Sequence, residues 1–196
     1  MRQAYLFTAK PLAWNSTSRA HSFLPKQMTH AEAREFLRVK QNPRYAPALP
    51  TTYCNVAAHD FATLRGFYLP RVWWTKEAIR QMEGDETVAA KYGETVKELN
   101  ANALCDWFEG WGEAFNWVRV YGTKVAQQGV NEGGMAIIVA ARKDRSQPGH
   151  ISVINPEEAV AKYVTQWQAG KVNSERLVSD WYTSSKYAKW GIWATS

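Results

Sequence analysis

Apolar positions change their period along this chain, and the change divides it into helices followed by strands. After Cys54 come Val56, Ala57, Phe61 and Leu64, with Ala58 and Ala62 between them, and Gly66 closes the run. Spacing of three to five residues predicts one face of a helix whose first residue is Cys54. An earlier helix is predicted over 30–40 behind a Thr29 cap, and another over about 75–83 behind Thr75, broken at Gly84-Asp85. Helical character resumes from Glu86 to about Phe108, with breaks expected at Gly93 and at the Asn100/Asn102 pair. The segment Gln41–Pro50 carries three prolines and reads as an extended connector that delivers the chain to Cys54. Residues 1–29, with Pro11, Pro25 and Asn15-Ser16-Thr17-Ser18, read as an irregular N-terminal arm.

The second half changes period. Trp117-Val118-Arg119-Val120 reads as a short strand, and Thr123 to about Gly129 as a short helix with Val125 and Ala126 inward. Met135 to Ala141 is nearly all apolar, the pattern of a strand buried on both faces. A polar loop, Arg142–Pro148, leads into a strand that begins at His150 and pairs antiparallel with it. Alternation puts Ile151, Val153 and Asn155 on one face of that strand and His150, Ser152 and Ile154 on the other. Asn155 to Glu158 turns, and Val160 to Gln168 supplies a third strand ending at Gly170. The C-terminal part, from Trp181-Tyr182 through Trp190 and Trp193, is rich in aromatic and small residues. No repeat, low-complexity tract or domain boundary interrupts residues 1–196, so the pattern predicts a single α+β domain with helices packed on a small antiparallel sheet.

Composition narrows the function classes. At 196 residues and 45% hydrophobic, the chain has material for a full core. A net charge of +6 favours an anionic partner, but neither zinc-ligand spacing nor a compact Lys/Arg run points to nucleic acid. No segment is long and apolar enough to predict stable membrane insertion, and no signal peptide is visible. Synthesis in the cytoplasm is therefore expected. No cofactor is expected, and no metal, because the adjacent pair His59-Asp60 points two ways. His21 and His30 fall in or near the N-terminal arm and read as solvated, and His59 as a surface residue about 140° round the helix from Cys54.

Two cysteines do not make a disulfide framework in a chain of this size. Cys105, among Ala103, Leu104, Trp107 and Phe108, reads as an inert core thiol. Cys54 differs, because a helix N-terminus stabilises an anion and eases thiol ionisation. A cysteine at a helix start, with a histidine entering a strand much later, is a workable nucleophile and base.

These residues also carry a resemblance. Thr52-Tyr53-Cys54-Asn55, the short helix and turn from Ala126 to Gly134, the strand Met135–Ala141 and Pro148-Gly149-His150-Ile151-Ser152-Val153-Ile154 occur in the order found in papain-like peptidoglycan hydrolases. Gln168-Ala169-Gly170-Lys171-Val172-Asn173 is similar to a further segment of that group, the NlpC-type and CHAP-type amidases and endopeptidases of phage lysins and secreted antibacterial toxins. The resemblance spans about residues 50–175, interrupted by a helical, Trp-rich insert over 66–120. It implies that Cys54 attacks an amide of the peptidoglycan stem peptide with His150 as base, oriented by Gln168 or Asn155. The cleft walls would come from Tyr53 and Asn55 beside the thiol and from Trp111 and Trp117 of the insert. A phage lysin would reach the wall after holin release. A toxin would reach the periplasm through a secretion system, and would have an immunity protein covering the Cys54 cleft. Other readings stay open: a lysozyme-like glycosidase using Glu109 and Glu113, a cysteine protease or deamidase on proteins, and an inactive wall-binding module.

Overall fold

The computed structural model describes residues 27–157 and 164–195, which carry five α-helices and two antiparallel sheets, a mixed α+β architecture. Backbone contacts divide the chain into two compact units. In the larger one, α1 (His30–Leu37) opens on Thr29, whose side chain accepts from the Glu32 N–H while Glu32 reaches back to the Thr29 N–H. That reciprocal cap satisfies two donors of the first turn. The proline-containing connector tightens into one 3-10 turn at Pro43–Tyr45. Next comes α2 (Cys54–Leu64), and Gly66 (φ +81°) takes the left-handed conformation just past its end.

The smaller unit includes Pro70–Leu99. Its β1 (Val72–Trp74) pairs with β2 (Val96–Glu98), and α3 (Lys76–Glu83) lies between them behind the Thr75 cap. An ion pair joins Arg71 and Glu98 across the two strands. The helix expected from Glu86 therefore begins much later. Gly93 (φ +85°) turns the chain and the next segment is strand, so helix returns only at α4 (Ala101–Trp111), capped by Asn100.

The rest of the larger unit is built on six strands. After α4 come β3 (Val118–Val120), α5 (Thr123–Asn131), β4 (Met135–Arg142), β5 (His150–Ile154), β6 (Thr165–Gln168), β7 (Ser174–Val178) and β8 (Tyr187–Thr195). Their order in the sheet is β3-β8-β4-β5-β6-β7, all antiparallel. The last strand thus lies inside the sheet, beside β4. In β4, Met135 to Ala141 are all buried, and each Ile or Val there contributes about 1.5–3 kcal/mol.

Register fixes the two faces. Ala140 faces His150 and Ile138 faces Ser152, so His150, Ser152 and Ile154 share the face that carries Ala136, Ile138, Ile192 and the α5 residues Ala126 and Val130. On the other face, Phe61 of α2 meets Trp167 at 5.1 Å and Phe108 of α4 stacks on Trp193 at 5.4 Å. Val125 was expected to point inward but is exposed; Ala126, Gln127 and Val130 form the inner stripe of α5. Part of the strand expected over 160–168 lies outside the described residues, as do residues 1–26 with His21.

Candidate active site

The site lies where the start of α2 meets the start of β5. Helices α1, α3 and α4 each open on a capping side chain, but α2 opens on Tyr53, which supplies none. Cys54 is its first residue and is buried. Its sulfur is hydrogen-bonded by the His150 imidazole and by the backbone N–H groups of Asn55 and Ile151. The other side of His150 is fixed as well, since Nε2 donates to Gln168 Oε1. That leaves Nδ1 for the sulfur. Gln168 is held in turn, with Nε2 donating to Val172 O at 3.2 Å. Sulfur, imidazole and amide form one line across α2, β5 and β6.

Burial pushes the Cys54 thiol up, but the charge of His150, its hydrogen bond and the two backbone donors outweigh burial and hold the thiol below the ordinary range. Burial pushes His150 down, but the Cys54 charge, its hydrogen bond and that of Gln168 outweigh burial and leave the imidazole above the ordinary histidine value. The arrangement favours a thiolate beside an imidazolium, which is a nucleophile paired with an acid.

The approach to His150 is rigid. A Cβ on Gly149 would sit 2.5 Å from Ala140 O and 2.6 Å from Asn102 Oδ1, so only glycine fits there. Asn102, buried in the first turn of α4, accepts from Arg142 N–H at 2.9 Å and donates to Gln147 O at 2.9 Å, tying down both ends of the loop before β5. On the far side of the site, Asn173 donates to Val39 O (2.8 Å) and Tyr45 O (3.0 Å) and accepts from Gly170 N–H (3.1 Å). The segment after Gln168 is thereby tied to the connector that precedes Cys54. Beneath α2, the buried Asp60 accepts from Arg44 Nε (2.6 Å) and Tyr45 Oη (2.7 Å), which fixes the same connector to the helix.

Of the two candidates for orienting His150, Gln168 makes the contact. Asn155 lies on the opposite face of the sheet, buried, where it accepts from His30 Nε2 (3.2 Å) and donates to Glu175 O (2.8 Å) and Thr165 Oγ1 (3.1 Å). The same contact corrects the solvated reading of His30, which is buried against Phe61 and pushed down to about 4, chiefly by desolvation. His59 is half-buried rather than a surface residue, and its Nδ1 lies 2.5 Å from Leu69 O.

Tyr53 and Asn55 flank the thiol, both half-buried. The two tryptophans expected to line the cleft are placed differently. Trp117 is fully buried, donates to Tyr68 O at 2.8 Å and packs edge-on against Phe108, so it belongs to the core. Trp111 ends α4, and Asn102 marks the end of that helix nearest His150. At 1.5 Å per residue, Trp111 is about 13 Å further along the axis. Glu109 is engaged by Lys189 and lies 3.9 Å from Arg119, while Glu113 is exposed in the turn after α4. Both cysteines are unbridged, and burial pushes the Cys105 thiol up to about 11.

Trp181, which no motif in the sequence singles out, meets the His150 ring edge-on at 4.6 Å and donates to Gln166 Oε1 at 2.8 Å. The signal for it was its place in the C-terminal aromatic run; only the pairing of β8 beside β4 brings that run to the site.

Among the described residues, no group of three or more His, Cys, Asp or Glu is placed to hold a metal ion, and no helix is long and apolar enough to cross a membrane. No protein-family model matches the chain, and no curated protein matches it either.

Proposed function

We propose that this chain is a cysteine hydrolase of papain-like type that cleaves an amide of the peptidoglycan stem peptide, acting as a phage lysin or a secreted antibacterial toxin. One observation carries the reading: the Cys54 sulfur is paired with His150, and His150 is held on its other nitrogen by Gln168. The papain-like ancestry rests on a cysteine-headed helix followed by a histidine at the head of an antiparallel strand. The wall substrate rests on the resemblance of residues 50–175 and on the net charge of +6, which favours approach to an anionic polymer.

The chemistry is acyl transfer. The Cys54 thiolate attacks the amide carbonyl carbon and forms a C–S bond, and the developing oxyanion is met by the backbone N–H at the start of α2. As the C–N bond breaks, the leaving nitrogen takes the proton from the His150 imidazolium. Neutral imidazole then removes a proton from water, whose oxygen attacks the thioester and expels the thiolate. Proton transfer by a placed imidazole contributes on the order of 10²–10⁴-fold. Gln168 keeps the ring in the tautomer and plane that serve both steps.

The test is digestion of isolated peptidoglycan sacculi by wild type, Cys54→Ala and His150→Ala, with products read by mass spectrometry and folding of each variant checked by circular dichroism. Stem-peptide fragments from wild type alone are the expected result. Cleavage of the glycan strand with Cys54→Ala still active would overturn the thiol mechanism and move attention to Glu109 and Glu113. Sacculi left intact by a wild type whose Cys54 nonetheless alkylates rapidly at neutral pH would move the substrate to a protein amide.

A further inference from the structure

The rings and cations beside the reacting pair carry information about substrate. From His150 a chain of aromatic contacts runs outward, with Trp181 at 4.6 Å and Tyr187 meeting Trp181 at 5.4 Å. Two cations sit on that last ring: Arg142 Cζ is 5.1 Å from its centroid and Lys186 Nζ 5.5 Å. Both come from segments anchored to the site. Arg142 ends β4 opposite Tyr187, and its Nε donates to Pro148 O, two residues before His150. Lys186 O accepts from the Lys143 N–H, which pins its backbone to the residue after Arg142.

Two neighbouring cations are neutralised. Lys189 is paired with Asp106 and Glu109, and Arg145 with Asp106. Among the described residues, neither Arg142 nor Lys186 is in an ion pair with a carboxylate, although the Arg142 charge helps to hold Asp144 below the usual carboxylate range. Two like charges gathered on one ring repel each other, and a bound anion would relieve that repulsion. The field of Lys186 reaches the reacting groups, opposing protonation of His150, and the charge of Cys54 acts in turn on the Tyr187 hydroxyl.

We propose, resting on the cysteine-hydrolase reading above, that Arg142 and Lys186 on Tyr187 form a subsite for a carboxylate of the substrate, so that the amide cleaved is one next to a free carboxylate. In a stem peptide this selects an amide flanking the γ-linked glutamate, the diamino acid or the terminal alanine in its unamidated form. Apolar contact comes from Trp181, and the charged end is met at the rim by the two cations.

The subsite is tested without knowing the substrate, using two reagents for Cys54 that differ in charge. Second-order alkylation rates at Cys54 are measured by peptide mass mapping with iodoacetate and with iodoacetamide, at low and high salt, and their ratio is compared across variants. A cation about 6 Å from the reagent's carboxylate in water-like surroundings is worth roughly threefold, so two cations at that range would raise the ratio about tenfold at low salt. Lys186→Glu, at an exposed position, is expected to lower the ratio several-fold. Arg142→Gln lowers it too, whereas Arg142→Lys retains it. A ratio unchanged in both Lys186→Glu and Arg142→Gln overturns the subsite, since His150 alone would then supply the attraction. Cys54 inert to both reagents overturns the thiol mechanism itself, and the subsite with it. On substrate, stem tetrapeptides with free carboxylates are expected to be cut several-fold faster than the same peptides with those groups amidated. That preference should shrink in Lys186→Glu; equal rates for both forms in wild type overturn the proposal.

Discussion

Gln168 and Asn155 are both buried amides at strand ends, both reach a histidine, and the structure gives them different work. Replacing each by alanine separates the two roles. Gln168→Ala removes the acceptor for His150 Nε2–H, a hydrogen bond to a group that is charged in the thiolate pair. Such bonds contribute about 1.5–3 kcal/mol, or roughly a ten- to hundredfold loss in kcat/KM by the transition-state relation. The imidazolium loses one of its stabilising partners, so the acid side of the pH profile of Cys54 alkylation changes. Asn155→Ala does something else. It strips an acceptor from His30 Nε2 and a donor from Glu175 O and Thr165 Oγ1. The Thr165 hydroxyl keeps its bond to Glu157, so two groups lose their partner, and at about 1–3 kcal/mol each the cost to stability is on the order of 2–6 kcal/mol. The assay pairs urea unfolding with iodoacetamide alkylation of Cys54 across pH. Gln168→Ala should shift the alkylation profile with a small change in urea midpoint, and Asn155→Ala should lower the midpoint with the profile unmoved. A shifted profile in Asn155→Ala, or an unshifted one in Gln168→Ala, would refute the assignment of the orienting group.

Three further outcomes are expected. His30 is neutral in the folded state because burial holds it near 4 against an ordinary 6.5. The unfolded chain binds that proton first as pH falls, so stability drops between about 6.5 and 4 by up to about 3 kcal/mol. Urea midpoints against pH should show this slope in wild type and a shallower one in His30→Gln. Gly149→Ala forces a methyl against Ala140 O and Asn102. The cost is about 1–3 kcal/mol, and displacement of His150 lowers turnover on the order of a hundredfold, read by kcat/KM on sacculi fragments alongside a melting curve. In His150→Ala the Cys54 thiol is left with burial as its largest influence, so its alkylation at neutral pH should slow by at least about tenfold, while a thiol count in denaturant still finds both cysteines.

The local parts of this fold were legible because they depend on neighbours in sequence. Thr29, Thr75 and the helix beginning at Cys54 follow from capping and period, and the runs at Met135 and His150 declared their strands. What failed depended on partners distant in sequence. The expected helix after Glu86 is strand and turn, since the propensity of a short polar segment is overridden by pairing of β2 with Trp73 and its neighbours. Strand β8 was hidden by Gly191 in its middle. A Cβ there would lie 2.7 Å from Trp193 Nε1, so the glycine is kept to make room for the indole and the alternation reads as broken. Because β8 was missed, Trp181, Tyr187 and Lys186 could not be assigned to the site. Trp117 reads as a cleft residue in the sequence and is core in the structure, because tryptophan alone does not tell core from cleft wall.

The two cysteines show why position, rather than residue type, sets the chemistry. Both are buried, and for both burial is the largest influence on the thiol and acts in the same direction. Cys105 sits in the interior of α4 with Glu109 and Asp106 adding to that effect, and it is pushed up to about 11. Cys54 reverses the sign because its helix begins at the sulfur, so backbone donors there are not spent on carbonyls one turn back, and because β5 delivers His150 and the Ile151 N–H to the same atom. Neither contribution is local to the other. A helix start needs only the sequence around Cys54, whereas the histidine needs Gly149 to let β5 pass Ala140, Asn102 to hold the loop and Gln168 to turn the ring. A buried thiolate without its imidazolium would bear the full cost of desolvation. An ionised pair is therefore favoured only where every one of those placements is met together, which makes each of them a point at which reactivity can be lost with Cys54 itself untouched.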